Sequence, residues 1–369
     1  MLPVQRYLIN NEENRGRIYR YNLQKRVFRA NSDPFSLPDR RFQELFRLNK
    51  DLVAYLFNIL LPHMENQQRR TRVPREVRIL IAVRFLATGN YQRGVGEEWI
   101  LSTSQQVVSR CISEVSNLIV IHLGPICIQF PLQNIQKMDI KREESLSSEK
   151  GGFPGIVGCI DCTHISILSP ALEEHNYVNR KGFHSKNVQI ICSYNLKILN
   201  INARFPGSTN DAYIWRSSQI KQFLQNEYNR GERNTWLIGD SGYPLEPWLM
   251  TPFDNNPPPN TPEGRYNQSH KITRSIIERC NGRLKGIFRY LSGERKLRYS
   301  PQKVGVIVNA CAVLHNICID AGLEFDEDLN QNDDNEDPDN NIQAHIQNPD
   351  LNQGRQVRQQ IVQIYFTNV

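Results

Sequence analysis

The sequence predicts an α/β fold, with a layered arrangement of strands and helices after a helical N-terminal region. Three apolar runs of strand length lie between residues 155 and 206. A helix, a short strand and two long helices follow between residues 211 and 323. Before residue 137 the apolar residues recur at helical spacing instead. At 369 residues, the chain is long enough for about two domains, each with its own core.

The N-terminal 70 residues predict a basic helical arm. Arginines cluster there, and apolar side chains recur at helical spacing between residues 42 and 61. The next helix is better delimited, because Pro74 suits a first helical turn and Gly89 suits a helix end. This helix is predicted to open a separate helical domain over residues 71–137.

Residues 91–123 predict a helix-turn-helix. A short helix is expected to end near Ile100, and a second one to begin with Ser102 or Thr103 as its N-cap. An ordinary helical hairpin gives the same pattern, so both interpretations stay open. The polar side chains that would reach phosphates and base edges from the second helix are Gln105, Gln106 and Arg110.

Two segments are not expected to form a folded core. Residues 138–152 are polar and end in glycines, which is typical of a linker. Residues 324–350 hold ten acidic residues and no lysine or arginine, which predicts disorder. The predicted segments are a basic arm over 1–70, a helix-turn-helix domain over 71–137, a linker over 138–152, the α/β domain over 153–322 and an acidic disordered tail over 323–369.

The charge of the chain is unevenly distributed. The formal net charge is +7, but the 342 residues outside the acidic segment 324–350 carry +17. A body this basic favours a polyanionic partner, most simply nucleic acid, although a solvated basic surface would have the same composition. The arginine cluster formed by Arg69, Arg70 and Arg72 is one candidate contact.

The sequence contains no run of about 18 apolar residues, and its first thirty residues lack the apolar core of a signal peptide. We therefore expect no membrane association and a location in the nucleus, and also in the cytoplasm. The eight cysteines are scattered through apolar runs, which is typical of small buried side chains in a reducing compartment.

Four acidic residues occupy positions where an unpaired charge is costly. They are Asp161 in the first strand, Asp211 at the start of a helix, Asp240 after a short strand and Glu278 within a long helix. Asp211 could be a helix cap, Asp240 a turn residue and Glu278 part of a solvated helix face. Asp161 has no such explanation, because aspartate is disfavoured at a strand centre and must there be paired or bind a cation.

Carboxylate oxygens are the ligands that Mg²⁺ and Mn²⁺ prefer. Two such ions about 3.5–4 Å apart can activate a water and stabilise the leaving oxygen when a phosphodiester bond is cut. The helical face that carries Glu278 also carries Lys271, Arg274 and Lys285, which suit a DNA backbone. The carboxylates and the basic charge together predict a divalent-cation site beside a DNA-binding surface.

Cys159 and Cys162 have the spacing of a zinc or redox motif, but this interpretation is disfavoured. Zinc requires two further ligands, and no second Cys-x-x-Cys pair exists in the sequence. Residues 159 and 162 would also lie on opposite faces of a strand.

Five stretches occur in order along the chain: GCIDCTH, FPGSTNDAYIWRSS, GDSGYPLEPWLMTPF, IIERCNGRLKGIFRYL and VLHNIC. Together they resemble the DDE nuclease domain of the PIF/Harbinger transposases, and more closely the members of that family captured as host genes. Any one of these motifs is weak, whereas five in sequence are specific. The resemblance covers roughly residues 70–320, with the helix-turn-helix in its usual place upstream.

The resemblance implies a ribonuclease H-like fold with a mixed central sheet flanked by helices. It implies that Asp161, Asp240 and Glu278 are the catalytic residues and hold Mg²⁺ or Mn²⁺, with Asp211 as a further metal ligand. It also implies that Thr163 and His164 support these ligands. The family usually has glycine where this chain has Cys162 and an aromatic residue where it has Asn281; neither departure removes a carboxylate.

The function implied is that of a transposase-derived, metal-dependent endonuclease that hydrolyses phosphodiester bonds of DNA. Members captured as host genes can keep the fold and lose transposition. The alternative is therefore a catalytically silent DNA-binding or regulatory protein that acts through the helix-turn-helix and a Myb/SANT-like partner protein. A homo-oligomer is compatible with both functions.

Overall fold

The computed structural model describes residues 3–65, 73–98, 100–132, 137, 152–293, 296–325 and 348–367. The chain forms two compact units, Met1–His122 with Phe288–Tyr290, and Leu123–Ile287 with Leu291–Val369. The predicted limits near residues 70 and 138–152 fall on or beside positions outside the described ranges, so that division of the chain stays a prediction.

The first unit is helical. Its helices are α1 (Pro3–Ala30), α2 (Asp39–Phe46), α3 (Lys50–Leu60), α4 (Arg75–Thr88), α5 (Gln92–Glu97) and α6 (Gln105–Leu118). The predicted helical stretch over residues 42–61 is divided into α2 and α3. Arg47 takes a left-handed conformation after α2, and Asn49 caps α3 by accepting a hydrogen bond from the Leu52 N–H at 2.9 Å.

The connection between α5 and α6 differs in detail from the predicted one. Helix α5 ends at Glu97 rather than near Ile100. The N-cap of α6 is Ser104 rather than Ser102 or Thr103, because Ser102 has a positive φ of 25° and lies in the turn. Caps are local features, and a run of Ser and Thr residues offers several equivalent candidates.

This turn is held from both sides. The Thr103 N–H donates to the Gly96 carbonyl at 2.8 Å, and a Cβ on Gly96 would lie 2.8 Å from the Thr103 oxygen, which requires glycine there. From α1, Lys25 donates to the carbonyl of Thr103 and Arg29 to that of Ser102, both at 2.8 Å. The basic arm thus fixes the start of α6 in addition to carrying charge.

The second unit contains a five-stranded mixed sheet. Its strands are β1 (Ile156–Ser166), β2 (Ser185–Cys192), β3 (Ile198–Pro206), β4 (Trp236–Ile238) and β5 (Leu249–Met250). Its helices are α7 (Gly124–Cys127), α8 (Asp211–Arg216), α9 (Gln219–Asn229), α10 (Pro262–Ile287), α11 (Pro301–Asp320) and α12 (Leu351–Tyr365). The strand order is β3-β2-β1-β4-β5, with β1–β2 and β2–β3 antiparallel and β1–β4 and β4–β5 parallel.

Helices cover both faces of the sheet. Helix α10 packs on β1 and β2, and α11 packs on β3. A second apolar cluster joins Ile160 and Ile191 of the sheet to Trp215 of α8 and Leu224 of α9. The predicted α/β layering, with a mixed sheet flanked by helices, is confirmed.

The predicted disordered tail contains a helix. Residues 326–347 lie outside the described residues, but α12 packs through buried Ile361 and Val362. Arg358 donates to the Pro252 carbonyl at 2.9 Å, and its guanidinium stacks over the Phe253 ring at 3.9 Å. The acidic composition of the preceding residues dominated the prediction of disorder for the tail as a whole.

Two helical stretches, Gln105–Cys127 and Pro301–Asp320, are long and apolar enough to cross a membrane. A core helix meets the same two criteria. The most apolar window of the second stretch is 72% buried within the protein, as expected for a core helix.

Asn316 of α11 is predicted to be a major source of stability. Its buried side chain accepts from the Ile198 N–H at 2.8 Å and donates to the carbonyls of Ile198 and Cys127 at 2.7 and 2.8 Å. We expect Asn316→Ala to lower the free energy of unfolding by about 3 kcal/mol, because three backbone groups lose their partner. Denaturant titration measures this change.

The matched control is Asn309→Ala on the same helix. The Oδ1 atom of Asn309 has no hydrogen-bond partner among the described residues. This variant should change the free energy of unfolding by less than about 1 kcal/mol. Equal effects of the two substitutions would show that the hydrogen bonds of Asn316 are not the cause.

Candidate active site

Asp161 lies on β1, the central strand of the sheet. It is only partly accessible to solvent, and its Oδ1 atom accepts a hydrogen bond from the Cys162 N–H at 2.8 Å. Burial raises the pKa of the Asp161 carboxyl well above its usual value, and the charges of Asp240 and Asp211 raise it further. Asp240 and Asp211 therefore lie close enough to Asp161 to repel its carboxylate.

Asp240 is brought to Asp161 by the parallel pairing of β1 with β4. Ile238, the last residue of β4, pairs with Cys159 of β1. Because the strands are parallel, Asp240 and Asp161, each two residues further along, lie at the same level of the sheet. Asp240 is also the turn residue considered from the sequence, because its Oδ1 accepts from the Gly242 N–H at 3.0 Å. The turn fixes the carboxylate next to the strand end.

Asp211 is not the helix cap considered from the sequence. The N-cap of α8 is Asn210, whose Oδ1 accepts from the Tyr213 N–H at 2.8 Å. Asp211 is the first residue of the helix, and its Oδ1 accepts from Asn187 Nδ2 at 2.8 Å. Asn187 also donates to the Thr209 carbonyl at 2.8 Å, so it holds both the start of α8 and the carboxylate.

Glu278 lies on α10 and forms an ion pair with Arg274, one helical turn earlier. Arg274 in turn lowers the pKa of Asp161, against the larger effects of burial and of the other aspartates. Arg274 therefore pairs with Glu278 and also acts electrostatically on Asp161. On the same helix Lys271 is exposed and Lys285 is half-buried.

The two predicted supporting residues differ in their surroundings. The Oγ1 atom of Thr163 is buried and has no hydrogen-bond partner among the described residues. His164 Nδ1 shares a 3.0 Å hydrogen bond with the Ser185 hydroxyl, to which Asn179 Nδ2 also donates. His164 therefore joins β1 to the start of β2.

Tyr243 and Asn187 were missed in the sequence. The Tyr243 hydroxyl lies 3.3 Å from the Cys162 sulfur, which links the turn after β4 to β1. Burial raises the pKa of Tyr243, and Cys162 and the three aspartates raise it further. Asn187 stands at the start of the apolar run NVQIIC, and a polar residue in a buried strand is a signal for a specific contact. No local pattern of the sequence indicates that Tyr243 contacts Cys162.

The thiol-based interpretation is not supported by the geometry. Cys159 donates to the Thr273 carbonyl of α10 at 3.3 Å, whereas Cys162 contacts Tyr243. The two sulfurs therefore have different surroundings, as the alternation of a strand requires. All eight cysteines are free thiols.

The predicted DNA contacts of the first unit are partly described. The side chains exposed on the first turns of α6 are Gln105, Gln106 and Arg110. The arginine cluster Arg69, Arg70 and Arg72 lies outside the described residues. These contacts stay predictions.

The donor set fits a hard divalent cation. Carboxylates of like charge that lie close together are a preferred environment for such an ion, because the ion offsets their repulsion. Both polar atoms of the Gln189 side-chain amide are buried and have no hydrogen-bond partner in the part of the chain that the structure describes; Gln189 is the strand partner of Cys162. No three His, Cys, Asp or Glu side chains of the described ranges are grouped closely enough to hold a metal ion as they stand.

The sheet carries Asp161 on its central strand and leads to Asp240 beyond the end of the parallel neighbour, and the helix that packs on β1 carries Glu278. Residues 160–316 match the family described as "DDE superfamily endonuclease". The chain belongs to the family of Harbinger transposase-derived nucleases, which confirms the resemblance noted in the sequence.

Two relatives above 30% identity show this membership, and a third is more distant. The chain is 33% identical over 290 residues to "Putative nuclease HARBI1" of Bos taurus, which covers 78% of this chain and 79% of that protein. It is 32% identical over 338 residues to the Mus musculus protein of that name, covering 89% and 91%. It is 25% identical over 319 residues to "Protein ALP1-like" of Arabidopsis thaliana, covering 80% and 73%. No solved structure matches the chain significantly.

Lowering the pH is predicted to destabilise α10, the helix that carries Glu278, because His270 on this helix becomes protonated. This buried residue of α10 donates from Nε2 to the Met250 carbonyl at 3.3 Å, and burial lowers its pKa from 6.5 to about 4. The folded protein favours the neutral form of His270. The contribution of His270 to the free energy of unfolding is therefore complete above pH 6.5 and is lost as the pH falls towards 4. The loss should be on the order of 3 kcal/mol.

Denaturant titrations at pH 7, 5 and 4 test this prediction. His270→Gln should lose this part of the pH dependence, whereas the exposed-residue variant His175→Gln should keep it. An identical pH dependence in the His270 variant and the wild type would contradict the assignment.

Proposed function

We propose that this protein is a transposase-derived DNA endonuclease that requires Mg²⁺ or Mn²⁺. The observation that carries the proposal is the convergence of Asp161, Asp211 and Asp240, which come from three separate elements and raise the pKa of the first. A fold rarely retains such repulsion without a functional reason, because most structural sites would be more stable with a neutral residue.

The finer fold that we propose is ribonuclease H-like. The strand order β3-β2-β1-β4-β5, with two antiparallel pairings followed by two parallel ones, supports it. We also propose that α5 and α6 form a DNA-binding helix-turn-helix. The tight turn between them and the exposed polar start of α6 support this assignment.

Asp161, Asp240 and Glu278 are the residues proposed to hold the metal and to carry catalysis, with Asp211 as a further ligand. When bound, a divalent cation supplies a Lewis acid that activates water and stabilises charge on the leaving oxygen of the phosphodiester. Hydrogen bonds from Asn187 to Asp211 and from the Gly242 N–H to Asp240 hold two of the carboxylates in fixed orientations.

The remaining proposed roles concern the substrate. Lys271, Arg274 and Lys285 lie on the helix that carries Glu278 and would bind phosphates near the reacting bond. Gln105, Gln106 and Arg110 would contact DNA from α6, together with Arg69, Arg70 and Arg72. A nuclear and cytoplasmic location, a Myb/SANT-like partner protein and a homo-oligomer belong to the same proposal.

One observation favours a second function, that of a silent DNA-binding protein. Glu278 is paired with Arg274, and no three ligands of the described residues are grouped for a metal as they stand. This protein would bind DNA through α6 without cutting it. The two functions differ in whether Asp161 is needed.

DNA cleavage by the full-length protein tests the proposal. Wild-type protein should nick supercoiled DNA in Mg²⁺ or Mn²⁺ and not in excess chelator. Asp161→Asn should reduce the rate by on the order of 100-fold or more, since loss of groups that only support metal ligands already costs about 10–100-fold. The control Asp254→Asn, at an exposed aspartate of the same unit, should cleave normally.

A thermal melt separates lost chemistry from lost folding. Asp161→Asn should melt above the wild type in chelator, because the substitution removes repulsion from Asp240 and Asp211. Equal cleavage by Asp161→Asn and wild type, at salt low enough for DNA binding, would reject the nuclease and leave the silent DNA-binding protein.

A further inference from the structure

Arg274 and Glu278 form an ion pair on α10, with side chains that are 23% and 38% exposed. One of the proposed metal ligands is thus already held by a cationic side chain of the protein itself. The two residues are one helical turn apart, on a helix that packs against β1. Its position places the guanidinium beside the carboxylate site.

Arg274 also acts on the centre of that site. Its positive charge lies close enough to Asp161 to attract that carboxylate and to offset part of its repulsion by Asp240 and Asp211. The guanidinium is therefore a local counter-charge for two of the proposed ligands, Asp161 and Glu278. A divalent cation bound by the same carboxylates would compete with it directly.

We propose that Arg274 is a positioning residue: it holds Glu278 in the metal-free protein, and it binds a DNA phosphate after a divalent cation has taken Glu278. This inference rests on the proposed function. Metal binding would free Arg274 for the DNA phosphate, and DNA binding would free Glu278 for the metal. The exchange therefore makes the two binding events cooperative.

The chemistry of the pair suits such an exchange. Arginine precedes glutamate by four residues, which is the less favourable order for an ion pair within a helix. Pairs that are partly exposed are weak, so the carboxylate is readily lost to a cation. The guanidinium has the same planar fork of donors for a phosphate as for a carboxylate. Exposed Lys271, three residues earlier, would mark the path of the backbone.

An ordinary helix ion pair is the simpler explanation, and it makes a different prediction. A pair that only stabilises α10 would be indifferent to DNA and would not link the two ligands. Coupling between metal and DNA is therefore the property that distinguishes the two explanations.

The first measurement is the affinity of the DNA-free, full-length protein for Mn²⁺, by electron paramagnetic resonance of the free ion. Arg274→Gln should bind Mn²⁺ about 5-fold more tightly than wild type, because the competing charge is gone. Lys271→Gln removes the same charge from the same helix without touching Glu278, and should change the affinity by less than about 2-fold.

The second measurement is the affinity for a labelled DNA duplex with and without Ca²⁺, which shares the preference for oxygen ligands. Wild-type protein should bind DNA more tightly in Ca²⁺, and Arg274→Gln should reduce that gain by about 5-fold. Lys271→Gln should weaken binding in both conditions and keep the gain. Arg274→Lys, which retains the charge, should keep a larger part of the gain than Arg274→Gln.

An unchanged Mn²⁺ affinity in Arg274→Gln, or an unchanged Ca²⁺-dependent gain, would overturn the inference. Asp161→Asn separates this failure from failure of the proposed function. If Asp161→Asn weakens Mn²⁺ binding but Arg274→Gln has no effect, only the inference is rejected. If Asp161→Asn binds Mn²⁺ as well as wild type does, the proposed metal site and the inference are both rejected.

Discussion

The carboxylate of Asp161 is held on the central strand of a mixed sheet, where burial and the charges of Asp240 and Asp211 disfavour its ionised form. The antiparallel strand β2 carries Asn187, whose amide holds Asp211, and the parallel strand β4 leads to Asp240 on the other side. A positive charge near these carboxylates therefore stabilises the site. A bound cation would supply that charge, and Arg274 supplies part of it.

The scaffold keeps the three aspartates together even though they repel. Each belongs to a different element, so relieving the repulsion would require the sheet, the start of α8 or the turn after β4 to move. Asn187 connects β2 to Asp211, and the Gly242 N–H holds Asp240 within its turn. Rigid elements with fixed hydrogen bonds are the usual support for a site that must be organised before its ligand binds.

Some of this site could be predicted from the sequence and some could not. An aspartate within an apolar strand is a local anomaly, so Asp161 was recognisable from its own segment. The parallel neighbour of β1 starts 80 residues after the start of β1, and its register is set by packing that no periodicity reveals. Asp211 and Asn210 are adjacent and both suit a helix start, so only the structure assigns the cap to Asn210.

The C-terminal helix and the pairing of Glu278 illustrate a second limit. Composition averaged over the tail was dominated by its acidic residues and predicted disorder there, whereas α12 packs through buried Ile361 and Val362 within the second unit. The helical pattern placed Arg274 and Glu278 on one face, which allowed a contact. Whether Glu278 faces a cationic side chain or a bound ion depends on the occupancy of the site, which sequence does not encode.

Anomalous scattering from crystals soaked in Mn²⁺ shows whether these carboxylates hold a divalent cation. We expect an anomalous peak bounded by Asp161 and Asp240, with Glu278 turned from Arg274 towards the ion. A well-ordered map with no peak at Asp161, from crystals that hold Mn²⁺ elsewhere, would rule out a divalent cation at this site.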